Sequence, residues 1–307
     1  MLIVSPPKQI KTPTAIALGN FDGIHRGHQT VLQPTIAASS MNYDLCSSVV
    51  SFSPHPREFF SGKTLKLLTP IAEKAEILAD LGFEQLVLLP FNRELAALSP
   101  LQFVEQILAE QLQARSISVG SDFRFGSKRT GTGKDLQEIA TRFGMIVHLN
   151  SLHKCQNKHN EAVRVSSSLI RQALADGEIE NANAMLGRPY TLVGEVVTGQ
   201  QLGRTIGFPT ANLRLPPEKY LPRFGVYGVD VLYQESVIKG VMNVGCRPTV
   251  AGEAPTIEVH LLNWSGNLYG QTLRVNLLKF LRPEQKFASV EQLKQQITID
   301  CQSVLNN

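Results

Sequence analysis

The sequence predicts an α/β protein in which a parallel sheet covered by helices precedes a small antiparallel β-barrel and a C-terminal helix. The first half alternates short apolar runs with helical patterns, which is typical of a parallel sheet covered on both faces. From Tyr190 to Leu281, apolar runs follow one another with glycine and proline between them. The chain of 307 residues also exceeds the usual size of one domain, so two are expected.

The hydrophobic content of 43% and the charged content of 18% are typical of a folded, soluble protein. The net charge of +4 allows anionic substrates but does not indicate a nucleic-acid surface. The four cysteines form no C-x-x-C pair, so we expect reduced thiols in a cytoplasmic protein. The N-terminus lacks a secretory pattern, and no apolar run reaches the roughly 20 residues that a membrane-spanning helix needs. We therefore expect neither a membrane nor a nucleic-acid partner.

The first half contains five predicted strands and several helix ends. Thr69 resembles an N-cap ahead of Pro70, and Ser99 with Gln102 has the spacing of a capping box. Ligands of such sheets bind beyond the carboxyl ends of the strands. The predicted strands are Ala15–Leu18, Ser47–Phe52, Gln85–Leu89, Ile117–Val119 and Met145–Leu149.

The second half begins after two predicted helices, Ser167–Ala175 and Ile179–Leu186. We place the domain boundary near Gly187, which gives domains of residues 1–186 and 187–307. A final helix is expected from Ser289 to about Val304. The intervening strands fit a small barrel better than a sandwich, and they are Thr191–Val197, Val226–Tyr233, Ser236–Val244, Thr256–Leu262 and Thr272–Leu281.

The segment LGNFDGIHRGHQ, residues 18–29, follows the first strand and precedes a helical pattern. Gly19 and Gly23 allow a sharp turn at the strand end. His25 and His28 are then expected on one side of the first helical turn. The positive end of the helix dipole favours a polyphosphate there, and imidazoles can stabilise charge on a leaving pyrophosphate. Nucleotide chemistry is therefore the first hypothesis.

Two loops of the first half combine aromatic or basic side chains with rigid backbone. In SPHPR, residues 53–57, the prolines hold His55 at the sheet edge, either as the rim of a ligand site or as the exposed side chain of a rigid turn. The loop of residues 120–134 is either a ligand site or a solvated basic loop. Its candidate ligand residues are Phe123 and Phe125 for a flat ring and Arg124 and Arg129 for phosphates.

A second possible anion site lies in RVSSSLIR, residues 164–171. Its serines can cap a helix, and Arg164 and Arg171 supply positive charge. Any capped helix can show this pattern, so it indicates a site only in combination with the two-histidine segment.

The second half carries a glycine-bearing segment, residues 194–207, that continues into FPTAN, residues 208–212. Such a loop can wrap a phosphate with backbone N–H groups. Thr210 and Asn212 lie on the same face of an extended chain and offer hard oxygen ligands for Mg²⁺ that carries ATP phosphates. A barrel corner explains the glycines but not these two residues.

One predicted strand presents a carboxylate. Period-two alternation places Glu258 and His260 on the same face, opposite Ile257 and Val259. A carboxylate at a barrel mouth can accept the proton of a substrate hydroxyl during phosphoryl transfer. The alternative is a solvent-facing glutamate with no such role.

Together these motifs resemble the bacterial bifunctional riboflavin kinase/FMN adenylyltransferases, also called FAD synthetases, over essentially the whole chain. The resemblance implies a Rossmann-like nucleotidyltransferase domain with a parallel sheet, then a β-barrel kinase domain. It implies ATP-dependent phosphorylation of riboflavin to FMN, adenylylation of FMN to FAD with release of pyrophosphate, and Mg²⁺ as cofactor. The matching segments are residues 19–28 (GNFDGIHRGH), 54–56 (PHP), 120–126 (GSDFRFG), 166–171 (SSSLIR), 203–212 (GRTIGFPTAN), 243–249 (NVGCRPT), 258–262 (EVHLL) and 268–270 (LYG).

The resemblance also assigns site residues in the first domain. His25 and His28 are expected to hold the ATP phosphates during adenylyl transfer. The other expected ATP-binding residues are Gly19, Asn20, Phe21, Arg164, Ser167 and Arg171. The expected flavin-binding residues are His55, Pro56, Phe60, Asp122 and Phe125.

In the kinase domain, the resemblance makes Glu258 the general base on the ribityl 5′-hydroxyl. Thr210 and Asn212 are expected to bind both Mg²⁺ and ATP, and Gly203 and Arg204 complete the ATP site. The flavin-side residues are Arg282 and Phe287.

Two alternatives remain open. The chain could retain only one of the two activities, or the barrel could be a nucleic-acid-binding module. The small net charge argues against the second alternative, as does the lack of a basic face with interleaved aromatic residues in residues 187–307. The expected partners are riboflavin, FMN and ATP.

Overall fold

A computed structural model describes residues 1–5, 10–42, 44–151, 154–156, 162–199, 202–249 and 252–306. The chain divides into two compact units, Met1–Ser167 and Ser168–Asn307. The domain boundary near Gly187 stays a prediction. Among the described residues, no helix has both the length and the apolar character that crossing a membrane requires.

The first unit is built on a six-stranded parallel sheet in the order β1-β4-β3-β2-β5-β8. Strand β2 pairs with β3 on one side and with β5 on the other, so the strand order reverses at β2. Parallel sheets bind ligands at such a reversal, beyond the carboxyl ends of the strands. The strands are β1 (Leu2–Val4), β2 (Thr14–Leu18), β3 (Cys46–Ser53), β4 (Gln85–Pro90), β5 (Ala114–Gly120) and β8 (Ile146–Asn150).

The five strands predicted for this half are all present, whereas the three-residue β1 was not predicted because it is too short to show a pattern. Two small antiparallel sheets complete the strands of the unit. They pair β6 (Arg124–Phe125) with β7 (Gly131–Thr132), and β9 (Lys154–Gln156) with β10 (Ala162–Arg164).

Helices connect the parallel strands. The predicted capping box of Ser99 and Gln102 is confirmed. The prediction that Thr69 is an N-cap is wrong: Pro70 occupies that position, because the Thr69 hydroxyl bonds to the Gly23 N–H instead. The helices are α1 (Arg26–Met41), α2 (Pro56–Ser61), α3 (Ile71–Asp80), α4 (Arg93–Ala97), α5 (Pro100–Gln102), a π-helical segment (Phe103–Gln111), a 3₁₀ turn (Ser127–Arg129) and α6 (Gly133–Thr141).

The sheet is buried on both faces, because successive residues of its strands enter two different hydrophobic clusters. Ile16 and Leu18 of β2 pack with the π-helical segment and α6, whereas Ala17 packs with α1 and α3. This arrangement explains why the strands appear as continuous apolar runs in the sequence. It also leaves the carboxyl ends of the strands, with the loops that follow them, as the place for polar chemistry.

The second unit contains a closed six-stranded barrel in the order β11-β12-β15-β14-β13-β16, with β16 paired to β11. All of these pairings are antiparallel, so the predicted barrel is confirmed. The four-residue β12 was not among the predicted strands. The strands are β11 (Tyr190–Val197), β12 (Ala211–Arg214), β13 (Gly225–Tyr233), β14 (Ser236–Thr249), β15 (Gly252–Leu261) and β16 (Thr272–Arg282).

The described residues of this half of the chain also form four helices, and an ion pair attaches the last of them to the barrel. The Arg282 guanidinium donates through Nε and Nη2 to the buried Asp300 carboxylate, at 2.9–3.2 Å. Gln296 donates to the same carboxylate at 3.0 Å, and Lys239 Nζ donates to the Val304 carbonyl at 3.2 Å. The helices are α7 (Ser167–Asp176), α8 (Ile179–Leu186), α9 (Leu202–Thr205) and α10 (Val290–Leu305).

Replacement of Asp300 by alanine is expected to lower the free energy of unfolding of the second unit by about 3–5 kcal/mol, because a mostly buried arginine loses its counter-ion. Urea denaturation of the full chain, followed by fluorescence of its single tryptophan, Trp264, measures this change in the second unit. The double variant Arg282→Met/Asp300→Leu removes both charges and is expected to lie near the wild type. A loss below about 1 kcal/mol for the single variant would contradict the prediction.

Candidate active sites

The two-histidine segment forms the connection between β2 and α1 at the carboxyl end of β2. His25 is the N-cap of α1, and its Nδ1 accepts the His28 backbone N–H at 3.2 Å. The two imidazole rings stack with centroids 3.6 Å apart and planes inclined by 17°. The structure therefore brings together the two histidines that the spacing predicted, at a helix end where N–H groups favour an anion.

Phe21 packs against this histidine pair. It is 3% exposed, and its ring meets the His28 ring edge-on at a centroid distance of 5.3 Å. A Cβ at Gly19 would lie 3.1 Å from the Phe21 ring, so a larger residue there would require this ring to shift by a few tenths of an ångström. Phe21 and Ile24 also adopt φ values of 48° and 42°, which cost L-residues free energy and persist only where their surroundings hold them. The predicted ATP-binding residues Gly19 and Phe21 thus shape the loop.

Side chains from distant segments hold this loop. The Gly23 N–H donates to Thr69 Oγ1 at 2.9 Å, and the Thr69 N–H donates to Asp22 Oδ1 at 3.1 Å. Ser167, a predicted ATP-binding residue, donates its hydroxyl to the Asp22 carbonyl at 2.8 Å. The loop conformation is therefore fixed by hydrogen bonds that close across the sheet edge.

Lys74 gives the loop a further support that sequence reasoning missed. Its ammonium donates to the Asn20 carbonyl at 2.7 Å, although the residue is only 6% exposed. Burial lowers the pKa of Lys74 to about 8, against the opposing effect of the Asp22 carboxylate. The sequence did contain a signal: Lys74 precedes the buried Leu78 by four residues, which places a charge on the apolar face of α3.

Asn20, a predicted ATP-binding residue, has a buried side-chain oxygen that can accept a hydrogen bond. Its side-chain Oδ1 is buried and has no hydrogen-bond partner among the described residues. Buried polar atoms are normally satisfied, so an orphaned acceptor in a loop of this kind points to a ligand.

His55 and Pro56 lie at the start of α2, after β3. His55 is the N-cap, and its Nδ1 accepts the Arg57 N–H at 3.0 Å. Desolvation lowers the pKa of His55; Asp22 acts to raise it and Lys74 to lower it further. Because the charges of both residues act on His55, the start of α2 lies within electrostatic reach of the loop around Asp22.

Phe60, another predicted flavin-binding residue, is 72% exposed at the end of α2. Its ring meets those of Phe59 and Phe91 edge-on, at centroid distances of 5.3 and 5.8 Å. The ring borders an open groove that combines aromatic, small and basic side chains, which suits a flat aromatic ligand with a phosphate. The groove is lined by Phe59, Phe60, Arg93, Ala96, Ala97, Ser127 and Lys128.

The remaining predicted residues of the adenylyl site have partners of their own. Asp122 and Arg164, both half-exposed, form an ion pair with each other. Phe125 is 6% exposed in the core and stacks on Phe123, which is partly exposed. Arg171 belongs to the second unit, where its guanidinium lies over the Tyr220 ring at 5.7 Å. The ligand roles of these residues stay predictions.

In the second unit, the barrel ladder brings together the residues predicted for the kinase. Asn212 on β12 lies directly opposite Glu258 on β15, and Asn243 on β14 is the other direct neighbour of Glu258. Directly paired residues share a sheet face, so the three side chains form one row. Glu258 is partly exposed, whereas Ile257 and Val259 beside it are buried, as the alternation predicted.

Two glycines allow a close approach to the Thr210–Asn212 segment. A Cβ at Gly199 would lie 2.3 Å from Asn212 Nδ2, and a Cβ at Gly203 would lie 2.3 Å from the Phe208 carbonyl oxygen. The same Gly203 position is 3.4 Å from Thr210 Oγ1. The glycine-bearing segment therefore packs onto the predicted metal ligands; its Gln200 and Gln201 lie outside the described residues. Arg204 is exposed on α9.

His260 fixes the backbone next to Thr210, a role that was not predicted. Its Nδ1 lies 2.7 Å from the Pro209 carbonyl oxygen, and its ring meets Phe208 edge-on at 5.6 Å. A carbonyl oxygen can only accept, so Nδ1 carries the hydrogen. Strand β15 thus carries both Glu258 and His260, and His260 holds the backbone next to Thr210.

Arg282 and Phe287 follow the same pattern of local support at the end of β16. The guanidinium carbon lies 5.7 Å from the Phe287 ring centroid, which places the cation over the ring. The Arg282 guanidinium also donates to the Asp300 carboxylate and, through Nη1, to the Pro283 carbonyl at 3.2 Å. The structure places these two predicted residues together.

The oxygen donors of Thr210 and Asn212 fit Mg²⁺. Magnesium is usually held by one or two protein ligands together with substrate phosphates and water, not by an all-protein cage. The described residues contain no group of three or more histidine, cysteine, aspartate or glutamate side chains placed to hold a metal.

Two family models match the chain, one in each half. The FAD synthetase model matches residues 7–169, and the Riboflavin kinase model matches residues 186–307. The fold and these matches define a two-domain enzyme of flavin cofactor synthesis.

Relatives match along most of the chain. The bifunctional riboflavin kinase/FMN adenylyltransferase of Escherichia coli K12 is 41% identical to this chain, and the match covers 93% of this chain and 90% of that protein. The Haemophilus influenzae protein of the same name is 40% identical, and the match covers 94% of this chain and 92% of that protein. The Bacillus subtilis protein of the same name is 35% identical, over 97% and 93%. The chain belongs to the bifunctional riboflavin kinase/FMN adenylyltransferase family.

A solved chain named as a macrolide-efflux protein from Streptococcus pneumoniae has the same architecture. It superposes with a TM-score of 0.84 at 32% identity, and the match covers 100% of this chain and 99% of that one.

The predicted fold class and the prediction of both enzyme activities are confirmed, and the substrates implied by the family are riboflavin, FMN and ATP. The alternatives of a single activity and of a nucleic-acid-binding barrel find no support.

Gly199→Ala is expected to slow riboflavin phosphorylation by about 100-fold, because the new Cβ displaces the Asn212 side chain and small misplacements in a reactive geometry are costly. The rate of FMN formation from riboflavin and ATP measures the effect. Conversion of supplied FMN to FAD by the same preparation should keep its wild-type rate. Wild-type phosphorylation by this variant would show that the placement of Asn212 does not matter.

Proposed function

We propose that the two activities of this family occupy separate sites in this chain, each served by the residues described above. The observation that carries the proposal is the direct pairing of Asn212 with Glu258 across the barrel ladder. A metal-type oxygen ligand beside a carboxylate suits phosphorylation of an alcohol. The stacked His25 and His28, in the other unit, are suited to phosphate chemistry without a base.

In the first unit, the FMN phosphate attacks the α-phosphorus of ATP. A bond forms from the FMN phosphate oxygen to this phosphorus, the bond to the bridging oxygen breaks, and pyrophosphate leaves. An FMN phosphate is already charged near neutral pH, so the reaction needs little general-base help. His25, His28 and the N–H groups at the start of α1 stabilise the negative charge that develops on pyrophosphate.

Other predicted residues of the first unit have supporting or flavin-side roles in this proposal. Asn20 Oδ1 accepts from the bound nucleotide, and Ser167 acts through the Asp22 carbonyl. His55, Pro56 and the exposed Phe60 form the flavin side, next to the groove that Phe60 borders. Arg164 and Asp122 act as a pair.

In the barrel, Glu258 accepts the proton of the riboflavin 5′-hydroxyl while the oxygen attacks the γ-phosphorus of ATP. The bond from this phosphorus to the bridging oxygen breaks, and ADP leaves. Thr210 and Asn212 would hold Mg²⁺, which neutralises phosphate charge when bound. Arg282 and Phe287 offer a flat cation–aromatic pair beside the flavin ring. The boundary near Gly187 and the cytoplasmic location stay predictions.

His28→Ala is expected to lower FAD formation from supplied FMN by about 100-fold or more, because charge on the departing pyrophosphate loses a stabilising donor. Glu258→Gln is expected to lower FMN formation from riboflavin by about 100-fold or more, because the hydroxyl loses its proton acceptor. Chromatography of riboflavin, FMN and FAD after incubation with ATP and Mg²⁺ measures both steps in one sample.

Each variant serves as the control of the other, since each should retain the activity of the unaltered unit. Loss of both products in a correctly folded His28→Ala protein would show that the two reactions do not use separate sites.

A further inference from the structure

At the loop between β2 and α1, which we propose binds phosphate, the structure contains two buried side chains of opposite charge. No sequence motif predicted that they occur together. Asp22, within the loop, is 7% exposed, and Lys74, on α3, is 6% exposed. The Asp22 carboxylate acts electrostatically on Lys74 and raises its pKa against the effect of burial. His55 feels both charges from the start of α2. Glu73 is also buried on α3, but adjacent residues of a helix do not face each other.

This pair is not explained by stability. A buried ammonium loses its hydration, and in return Lys74 gains a hydrogen bond to the Asn20 carbonyl and the field of Asp22. Replacing both members of a buried pair of opposite charges by apolar side chains of similar volume is often neutral or stabilising. Buried ionisable groups with displaced pKa values concentrate at functional sites, which directs attention to the loop that Lys74 touches.

The loop itself poses an electrostatic problem. It is expected to bind the triphosphate of ATP, yet it contains a buried carboxylate, which repels polyphosphate strongly where water is scarce. The loop needs a side-chain acceptor at position 22, because Asp22 Oδ1 accepts the Thr69 N–H that helps to shape the loop. The Lys74 ammonium, which is hydrogen-bonded to the Asn20 carbonyl and interacts electrostatically with Asp22, offsets this repulsion.

We propose that Lys74 is a positioning residue of the adenylyl-transfer site, which holds the Asn20 carbonyl and balances the buried charge of Asp22 so that the loop accepts the phosphates of ATP. The inference rests on the proposed adenylyl-transfer site at His25 and His28. Lys74 acts through the loop and not by contact with the reacting atoms.

The charge state of Lys74 provides a specific signature. Below its pKa of about 8 the side chain is cationic, and as pH rises through this value the Asp22 charge is no longer balanced. The kcat/KM for ATP reports groups of the free enzyme, so it should fall above about pH 8. The second ionisation of phosphate lies near pH 6, and the pKa of His55 is below its ordinary value, so neither produces this decline.

The test compares Lys74→Met with Lys74→Gln and with Arg142→Met, measuring kcat and KM for ATP in FAD formation from supplied FMN at several pH values. Arg142→Met removes the same charge from an exposed residue at the end of α6, which leads into the amino end of β8. For both Lys74 variants we expect the KM for ATP to rise by about tenfold or more, with a smaller change in kcat. The decline above pH 8 should disappear, whereas Arg142→Met should keep the wild-type profile.

A double variant separates charge balance from packing. Lys74→Met/Asp22→Asn removes both charges, and the asparagine oxygen can still accept the Thr69 N–H, so the KM for ATP should return most of the way to the wild-type value. A merely structural role would instead make the double variant as poor as, or poorer than, the single one. Thermal unfolding should show Lys74→Met to be less stable than the wild type, because the Asp22 carboxylate is left buried without its counter-charge, and the double variant should recover most of that stability.

Three outcomes would overturn the inference: a wild-type enzyme whose kcat/KM for ATP does not fall near pH 8, a Lys74→Met enzyme with a wild-type KM for ATP, or a double variant without recovery. His28→Ala, measured in the same series, tests the underlying site separately. If His28→Ala retains FAD formation, the proposed site is wrong; if it loses FAD formation while Lys74→Met behaves as the wild type, only the role of Lys74 is wrong.

Discussion

The short turn at the carboxyl end of β2 is the constraint on which the first unit depends. The chain must leave a fully buried strand and begin α1 within a few residues, and it does so with Phe21 and Ile24 at positive φ. Such a backbone persists only if its polar groups are held from outside the loop. Thr69, Lys74 and Ser167 provide these contacts from segments far away in the sequence. The same contacts hold the loop that leads into α1.

In the barrel, the corresponding constraint is the register of β12 against β15. Side chains alternate between the two faces of a strand, so a slip by one residue would bury Glu258 and separate it from Asn212. The four-residue β12 cannot fix this register through its own length. The contacts of Gly199 with Asn212, of Gly203 with Phe208 and of His260 with Pro209 do so instead. Glycines in this loop therefore matter less for flexibility than for the close approach they permit.

The sequence predicted the features that depend on local pattern, and missed those that depend on distant partners. Five strands of the sheet, the barrel, and the closeness of His25 to His28 follow from periodicity, turn residues and spacing over a few positions. Thr69 is an example. A threonine before a proline resembles a helix N-cap, but the Thr69 hydroxyl accepts the Gly23 backbone N–H instead of capping α3. Lys74, His260 and Asp300 were missed for the same reason. Each acts on a residue that lies far away in sequence.

The chemistry of the two reactions accounts for the two differently built sites that we propose. An FMN phosphate is a ready-made anionic nucleophile, so the first site mainly has to offset negative charge, and stacked imidazoles at a helix start are suited to this task. The riboflavin hydroxyl is neutral and must lose a proton, so the second site needs a carboxylate close to the phosphates. An exposed carboxylate without a cationic partner in the first site would repel ATP, and the half-exposed Asp122 is paired with Arg164. In the first unit the loop carboxylate, Asp22, is accordingly buried, committed to the Thr69 N–H and set against Lys74, whereas Glu258 stays partly exposed on its strand.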